Sequence, residues 1–129
     1  MASITPLISI VDDDLSVRRA LRRLVQSAGY IVATFASARE FLDSPALARA
    51  ACLVLDISLD GMSGFDLQER LVADHPSLPI IFITALDEAM TRERFGRSGV
   101  AALLRKPFDE HTLLHAIRRA LDQGPIDGP

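Results

Sequence analysis

Five short apolar runs punctuate the chain, at Leu7–Val11, Tyr30–Phe35, Cys52–Leu55, Ile80–Ile83 and Val100–Leu104. Their apolar residues are continuous and not alternating, which predicts strands covered on both faces, as in a parallel sheet. The segments between them carry apolar residues at helical spacing. Val17, Leu21, Leu24 and Ala28 recur every three or four residues, with Arg18, Arg19, Arg22 and Arg23 on the other faces, and Gly29 stops the helix. Ser37 with Glu40 reads as a capping box opening a second helix through Phe41 and Leu42. Ser63 with Asp66 is a weaker version for a third, which carries Leu67, Leu71 and Val72 and ends at His75-Pro76. A fourth segment, Glu88 to Ser98, has a thin apolar stripe interrupted by Gly96. Asp109 caps a fifth helix with a broad face of Leu113, Leu114, Ile117, Ala120 and Leu121, closed by Gly124-Pro125.

Five strand–helix units imply one α/β domain, an open doubly wound sheet with helices on both faces. The domain is expected over residues 1–123, with 124–129 the start of a linker or a chain end. Such sheets bind ligands at the carboxyl ends of their strands, where the strand order reverses. The first strand ends in Asp12-Asp13-Asp14, the third in Asp56, the fourth in Thr84 and the fifth in Lys106-Pro107. A strand order of 2-1-3-4-5 makes the first and third strands neighbours, so at least three carboxylates crowd together. Uncompensated, that crowding forces protonation or unfolding. A hard divalent cation removes the conflict, and a few carboxylates with room for water and phosphate suit Mg²⁺. Lys106 adds positive charge and Thr84 a hydroxyl donor. This set fits phosphoryl transfer, with a carboxylate as nucleophile and positioning supplying most of the catalysis. A lone aspartate at a strand end is ordinarily a cap, and a lone Lys-Pro a solvated turn. Four such features at four strand ends point instead to one shared site.

Composition narrows the field further. The chain of 129 residues is 49% hydrophobic and 24% charged, as an ordinary globular domain is. A net charge of −3 gives no general attraction to nucleic acid or anionic membrane. The one cysteine, Cys52, excludes an internal disulfide and reads as a buried packing thiol. No apolar stretch approaches the roughly 20 residues that span a bilayer, and Met1–Pro6 lacks a signal-peptide pattern, so the expected compartment is the cytoplasm.

The motifs Val11-Asp12-Asp13-Asp14, Leu55-Asp56, Met62-Ser63-Gly64, Pro79–Ala85 and Lys106-Pro107-Phe108 resemble, in order over residues 7–122, the receiver domains of bacterial two-component response regulators. Ser16–Leu21, Cys52–Asp56 and Leu67–Leu71 lean toward the FixJ-type subgroup, whose members usually continue into a helix-turn-helix domain. The resemblance implies a flavodoxin-like (βα)5 fold and a signalling module, not an enzyme acting on external substrates, that catalyses its own phosphorylation and dephosphorylation. Asp56 is then the phosphorylation site. Asp13 ligates Mg²⁺ directly, Asp12 helps through water, and the Ser58 carbonyl completes the protein ligands. Thr84 bonds a phosphoryl oxygen, Lys106 pairs with the phosphate, and the Lys106-Pro107 bond is cis. Asp14 caps the first helix. The implied partner is a cognate histidine kinase, docking beside the arginine-rich first helix. A phosphorylation-dependent homodimer is expected through the fourth helix, fifth strand and fifth helix, where Arg92, Arg94, Arg97 and Arg105 lie near Asp87 and Glu88. The domain itself is expected to contact neither nucleic acid nor membrane, and its output is transcription through a further domain.

Three positions depart from the family pattern: Leu59-Asp60 replaces Met-Pro, Ala85–Glu88 replaces Gly-His-Gly-Asp, and Leu103 stands where an aromatic switch residue is usual. Two other functions fit the residues less well. A dehalogenase-type phosphatase usually places a second acid where Ser58 stands, and a vestigial pocket would not keep the full Asp, Asp, Asp, Thr, Lys set. His111 and His115, one helical turn apart without the glutamate of a zinc-protease helix, read as partly solvated; His75 reads as a helix-end cap, and Gly61 with Gly64 makes no dinucleotide fingerprint.

Overall fold

The computed structural model describes residues 5–57, 64–84, 100–106 and 108–123. Its elements run β1 (Leu7–Val11), α1 (Leu15–Ser27), β2 (Ile31–Phe35), α2 (Ala38–Leu42), α3 (Ala46–Arg49), β3 (Ala50–Asp56), α4 (Gly64–Asp74), β4 (Ile80–Thr84), β5 (Val100–Arg105) and α5 (Glu110–Gln123). All four strand pairings are parallel, in the order β2-β1-β3-β4-β5, which is the doubly wound arrangement the sequence implies. The expected fourth helix at 88–98, the loop 85–88, Ser58 to Ser63, Pro107 with its expected cis bond, and the tail 124–129 lie outside the described residues.

Strand side chains alternate between the two faces, so the apolar runs are continuous because both faces are buried. Ile8, Ile10, Cys52, Val54, Ile81, Ile83 and Leu104 face one layer, closed by Leu21 and Val25 of α1 and by Leu113, Ile117 and Ala120 of α5. Val11, Leu53, Leu55, Ile80 and Phe82 face the other, closed by Phe41 of α2 and by Phe65, Leu67 and Leu71 of α4. Each fully buried leucine, isoleucine or phenylalanine contributes about 1.5–3 kcal/mol, so these layers dominate the fold's stability. Leu103, in place of the usual aromatic residue, is half-buried and packs against the second layer. Cys52 is fully buried, and burial pushes its thiol up to about 12, which makes it the packing group expected.

Coverage of both faces is only partial at β2, where Val32 packs against the first layer and Phe35 against the second. This is an edge strand, half-buried for most of its length with Ile31 exposed, because only β1 pairs with it. The capping box at α2 also differs in detail. Ser37 Oγ accepts from the Glu40 N–H at 3.1 Å, but Glu40 reaches past Ser37 to the Ala36 N–H at 2.8 Å. After α1 the chain reverses at Gly29, whose φ of 98° suits a residue without a side chain.

Candidate functional site

Parallel register brings the strand ends level, with Val11 beside Leu55, Asp56 beside Ile83 and Thr84 beside Arg105. The residues at or just past those ends therefore share one edge. Asp12 follows β1 and is fully buried, Asp56 ends β3 at 5% exposure, and Thr84 ends β4 at 2%. Lys106 follows β5, and its backbone N–H donates to the Thr84 carbonyl at 2.7 Å, which locks the two strand ends together. Burying carboxylates this deeply demands a compensating charge or hydrogen bonds.

Lys106 supplies part of that compensation. Its Nζ stands 3.4 Å from Asp12 Oδ2 and 3.5 Å from Asp56 Oδ2, bridging the ends of β1 and β3. Burial alone pulls the Lys106 ammonium down, but Asp56 and Asp12 together outweigh it and hold the group above its ordinary value. It is therefore a cation throughout the neutral range. Asp12 Oδ1 is satisfied separately by the Asp14 N–H at 2.9 Å.

Among the described residues one group of potential metal ligands comes together: Asp12, Asp13 and Asp56, with one carboxylate oxygen from each within 4.8 Å of the others. Asp13 is exposed while the other two are buried, so the cluster opens to solvent on the Asp13 side. Three carboxylates against one ammonium leave an excess of negative charge that a hard divalent cation would neutralise, and all-oxygen donors with open positions fit Mg²⁺. Ser58, the fourth expected ligand, lies outside the described residues.

Other expectations resolve as the geometry dictates. Asp14 is the N-cap of α1, its side chain accepting from the Val17 N–H at 3.1 Å, and so it turns away from the cluster. Asp109 caps α5 through the Thr112 N–H at 2.8 Å and the Thr112 hydroxyl at 2.9 Å. His111 and His115 are both exposed on α5 and join no ligand group among the described residues. His75 follows α4, its N–H donating to the Leu71 carbonyl at 2.6 Å.

Two residues make contacts at the site that the sequence did not indicate. Arg18 Nη1 donates to the Asp12 carbonyl at 2.7 Å; its one signal is a cation in the first turns of a helix, where the dipole disfavours it. Gly64 packs its Cα against the backbone just after Asp56, where an added Cβ would stand 2.8 Å from both the Asp56 carbonyl oxygen and the Ile57 Cα. A glycine at the first helical position, just after Ser63, is the trace this leaves in the sequence.

The chain has many relatives. Residues 8–118 match the family model of the response regulator receiver domain. The nodulation protein W of Bradyrhizobium diazoefficiens is 39% identical over 122 residues, which covers 95% of this chain and 54% of that protein. The transcriptional regulatory protein FixJ of Azorhizobium caulinodans is 31% identical over 94% of this chain and 57% of its own length. The solved structure of the response regulator StyR is 41% identical and superposes with a TM-score of 0.79, over 92% of this chain and 60% of that one. The chain thus spans about half the length of the curated relatives it matches. No helix among the described residues is long and apolar enough to cross a membrane. With the strand order, the acid cluster and the bridging lysine all in place, the chain belongs to the receiver domains of two-component response regulators.

Proposed function

We propose that this domain, over residues 1–123, is the phospho-accepting switch of a phosphorelay, and that Asp56 takes the phosphoryl group from a phosphohistidine of a sensor kinase. The observation that carries the proposal is the convergence of Asp12, Asp13 and Asp56 on one point, with Lys106 Nζ 3.4–3.5 Å from two of them. A carboxylate oxygen of Asp56 attacks phosphorus, a P–O bond forms and the P–N bond to imidazole breaks, leaving the electron pair on the departing nitrogen. Lys106 holds positive charge beside the transferring group, and the Thr84 hydroxyl donates to a phosphoryl oxygen as negative charge builds there. Asp12, Asp13, Asp56 and the Ser58 carbonyl would hold Mg²⁺, which when bound neutralises phosphoryl oxygens. Water later hydrolyses the acyl phosphate, returning the Asp56 carboxylate and inorganic phosphate.

Thr84 and the loop that follows it then carry the switch. With Leu103 half-buried and lacking a hydroxyl, the signal rests on backbone movement beyond Thr84 and not on a ring changing its rotamer. The output is a phosphorylation-dependent dimer through the segment 88–98, β5 and α5, and regulation of transcription by a further domain, as the names of relatives such as FixJ suggest. Its place is the cytoplasm, where the kinase presents its phosphohistidine.

Incubation with Mg²⁺ and acetyl phosphate tests the chemistry. Intact-mass measurement is expected to show one labile adduct of about 80 Da, the mass of one phosphoryl group. Asp56→Asn keeps the shape but not the nucleophile, and no adduct is expected on it. An unlabelled wild type, or a variant labelled at the wild-type rate, overturns the assignment.

A further inference from the structure

Arg18 is the one arginine of α1 that turns back toward the acid cluster: it is half-buried, while Arg19, Arg22 and Arg23 are exposed. Its Nη1 donates to the Asp12 carbonyl at 2.7 Å, a charge-assisted bond. That bond completes a set. The Asp12 N–H donates to the Phe35 carbonyl at 3.1 Å, Oδ1 accepts from Asp14 at 2.9 Å, and Oδ2 faces Lys106 at 3.4 Å. Every polar atom of Asp12 is thus engaged.

The carbonyl of Asp12 belongs to the planar peptide that joins it to Asp13. Holding that oxygen fixes ψ of Asp12 and φ of Asp13 together, and so fixes the direction in which the Asp13 side chain leaves the backbone. Asp13 needs such help, because its exposed side chain is not held by packing as Asp12 and Asp56 are. Resting on the receiver reading above, we propose that Arg18 is a positioning residue for cation binding, which aims the Asp13 carboxylate by gripping the Asp12–Asp13 peptide.

The sign of one measurement separates this role from a simple charge effect. A guanidinium beside an acidic cluster repels a divalent cation, so if charge were its contribution, neutralising it would tighten Mg²⁺ binding. A positioning role gives the opposite, since loss of a group that orients a metal ligand typically weakens affinity 10–100-fold.

The experiment is calorimetric titration of Mg²⁺ into wild type, Arg18→Met, Arg18→Gln and Arg22→Met, with metal-free melts of each. Both Arg18 variants are expected to bind Mg²⁺ at least about 10-fold more weakly than wild type. Arg22→Met removes the same charge from an exposed site on the same helix, and its affinity is expected to stay the same or rise slightly. Arg18→Gln keeps a good helix former and carries the test should the methionine variant not fold. Either folded Arg18 variant binding Mg²⁺ as tightly as wild type, or more tightly, overturns the positioning role while leaving the receiver reading intact. A wild type that binds no Mg²⁺ overturns both.

Discussion

The turn after β1 and the last residue of β3 each place a buried aspartate at the same end of the sheet, but the two are held differently. Around Asp12 the grip is polar: four hydrogen bonds or ion pairs reach its backbone and carboxylate from Phe35, Arg18, Asp14 and Lys106. Around Asp56, whose carboxylate also faces Lys106 at 3.5 Å, close packing is added to the polar contacts, with Gly64 seated against the backbone and the Gly64 N–H bonded to the Ile57 carbonyl at 2.9 Å. A polar grip tolerates changes in shape but not the loss of a donor. A packed one does not tolerate an added methyl. The two aspartates can therefore be disturbed separately, and each disturbance reports on a different half of the site.

The largest effect is expected at the exposed member of the cluster. At an Mg²⁺ concentration about 100-fold above the Kd, metal binding is expected to stabilise wild type by about 2.7 kcal/mol. Asp13→Asn is expected to lose most of that gain. Without metal it melts at or above the wild-type temperature, because one of three crowded negative charges has gone. Thermal melts with and without Mg²⁺ check both statements, and equal metal stabilisation of the two proteins would remove Asp13 from the ligand set.

Packing around Asp56 is tested by Gly64→Ala. The new Cβ would meet two backbone atoms at 2.8 Å, neither of which can swing aside as a flexible side chain would. Overpacking of this kind costs about 1–3 kcal/mol, more than alanine's advantage over glycine in a helix. A lower urea midpoint and slower labelling by acetyl phosphate are expected together, since relief of the clash displaces the backbone that carries Asp56. Unchanged stability with unchanged labelling would show that the turn has slack which the close approach conceals.

These two strand ends also mark where the sequence was legible and where it was not. The strands at Leu7–Val11 and Ile80–Ile83 were readable because burial on both faces leaves runs that are apolar throughout but for Ser9. The caps Asp14 and Asp109 were readable because a cap is local chemistry, a side chain bonding an N–H three residues on. Asp12, Asp13, Asp56 and Lys106 were readable as a cluster because parallel strands put their ends on one edge. The four-residue α3 was not expected, since Ala46–Arg49 is too short to show a helical period. Nor was the Arg18 contact, because a bond to a backbone carbonyl asks nothing of the residue whose carbonyl it is. The reach of Gly64 toward Asp56 depends on where α4 sits against β3, which no local pattern encodes.

The smallest effects come from the two aspartate caps, and they sharpen the contrast because one cap lies in the polar turn and the other outside it. Asp14→Ala removes the bond from the Val17 N–H and is expected to cost about 1 kcal/mol. It also loosens the turn of α1 from which Arg18 reaches back, so a modest loss of Mg²⁺ affinity should accompany it. Asp109→Ala frays α5 with no effect on Mg²⁺ affinity, because neither its carboxylate nor its partner Thr112 belongs to the acid cluster. Asp109 has a signature of its own in pH. The Thr112 N–H, with the Thr112 hydroxyl second, holds its carboxyl below the ordinary 3.8. A depressed value in the folded state means the unfolded chain binds the proton more readily, so the contribution is fully present above pH 3.8 and fades as pH falls through the folded value. Asp109→Asn caps without titrating, so the melting temperatures of variant and wild type should converge as pH is lowered below 3.8. A gap that stays constant across that range would mean the cap's charge contributes nothing. An Asp109 variant with weakened Mg²⁺ binding would mean that the polar turn after β1 is not the separate unit its hydrogen bonds describe.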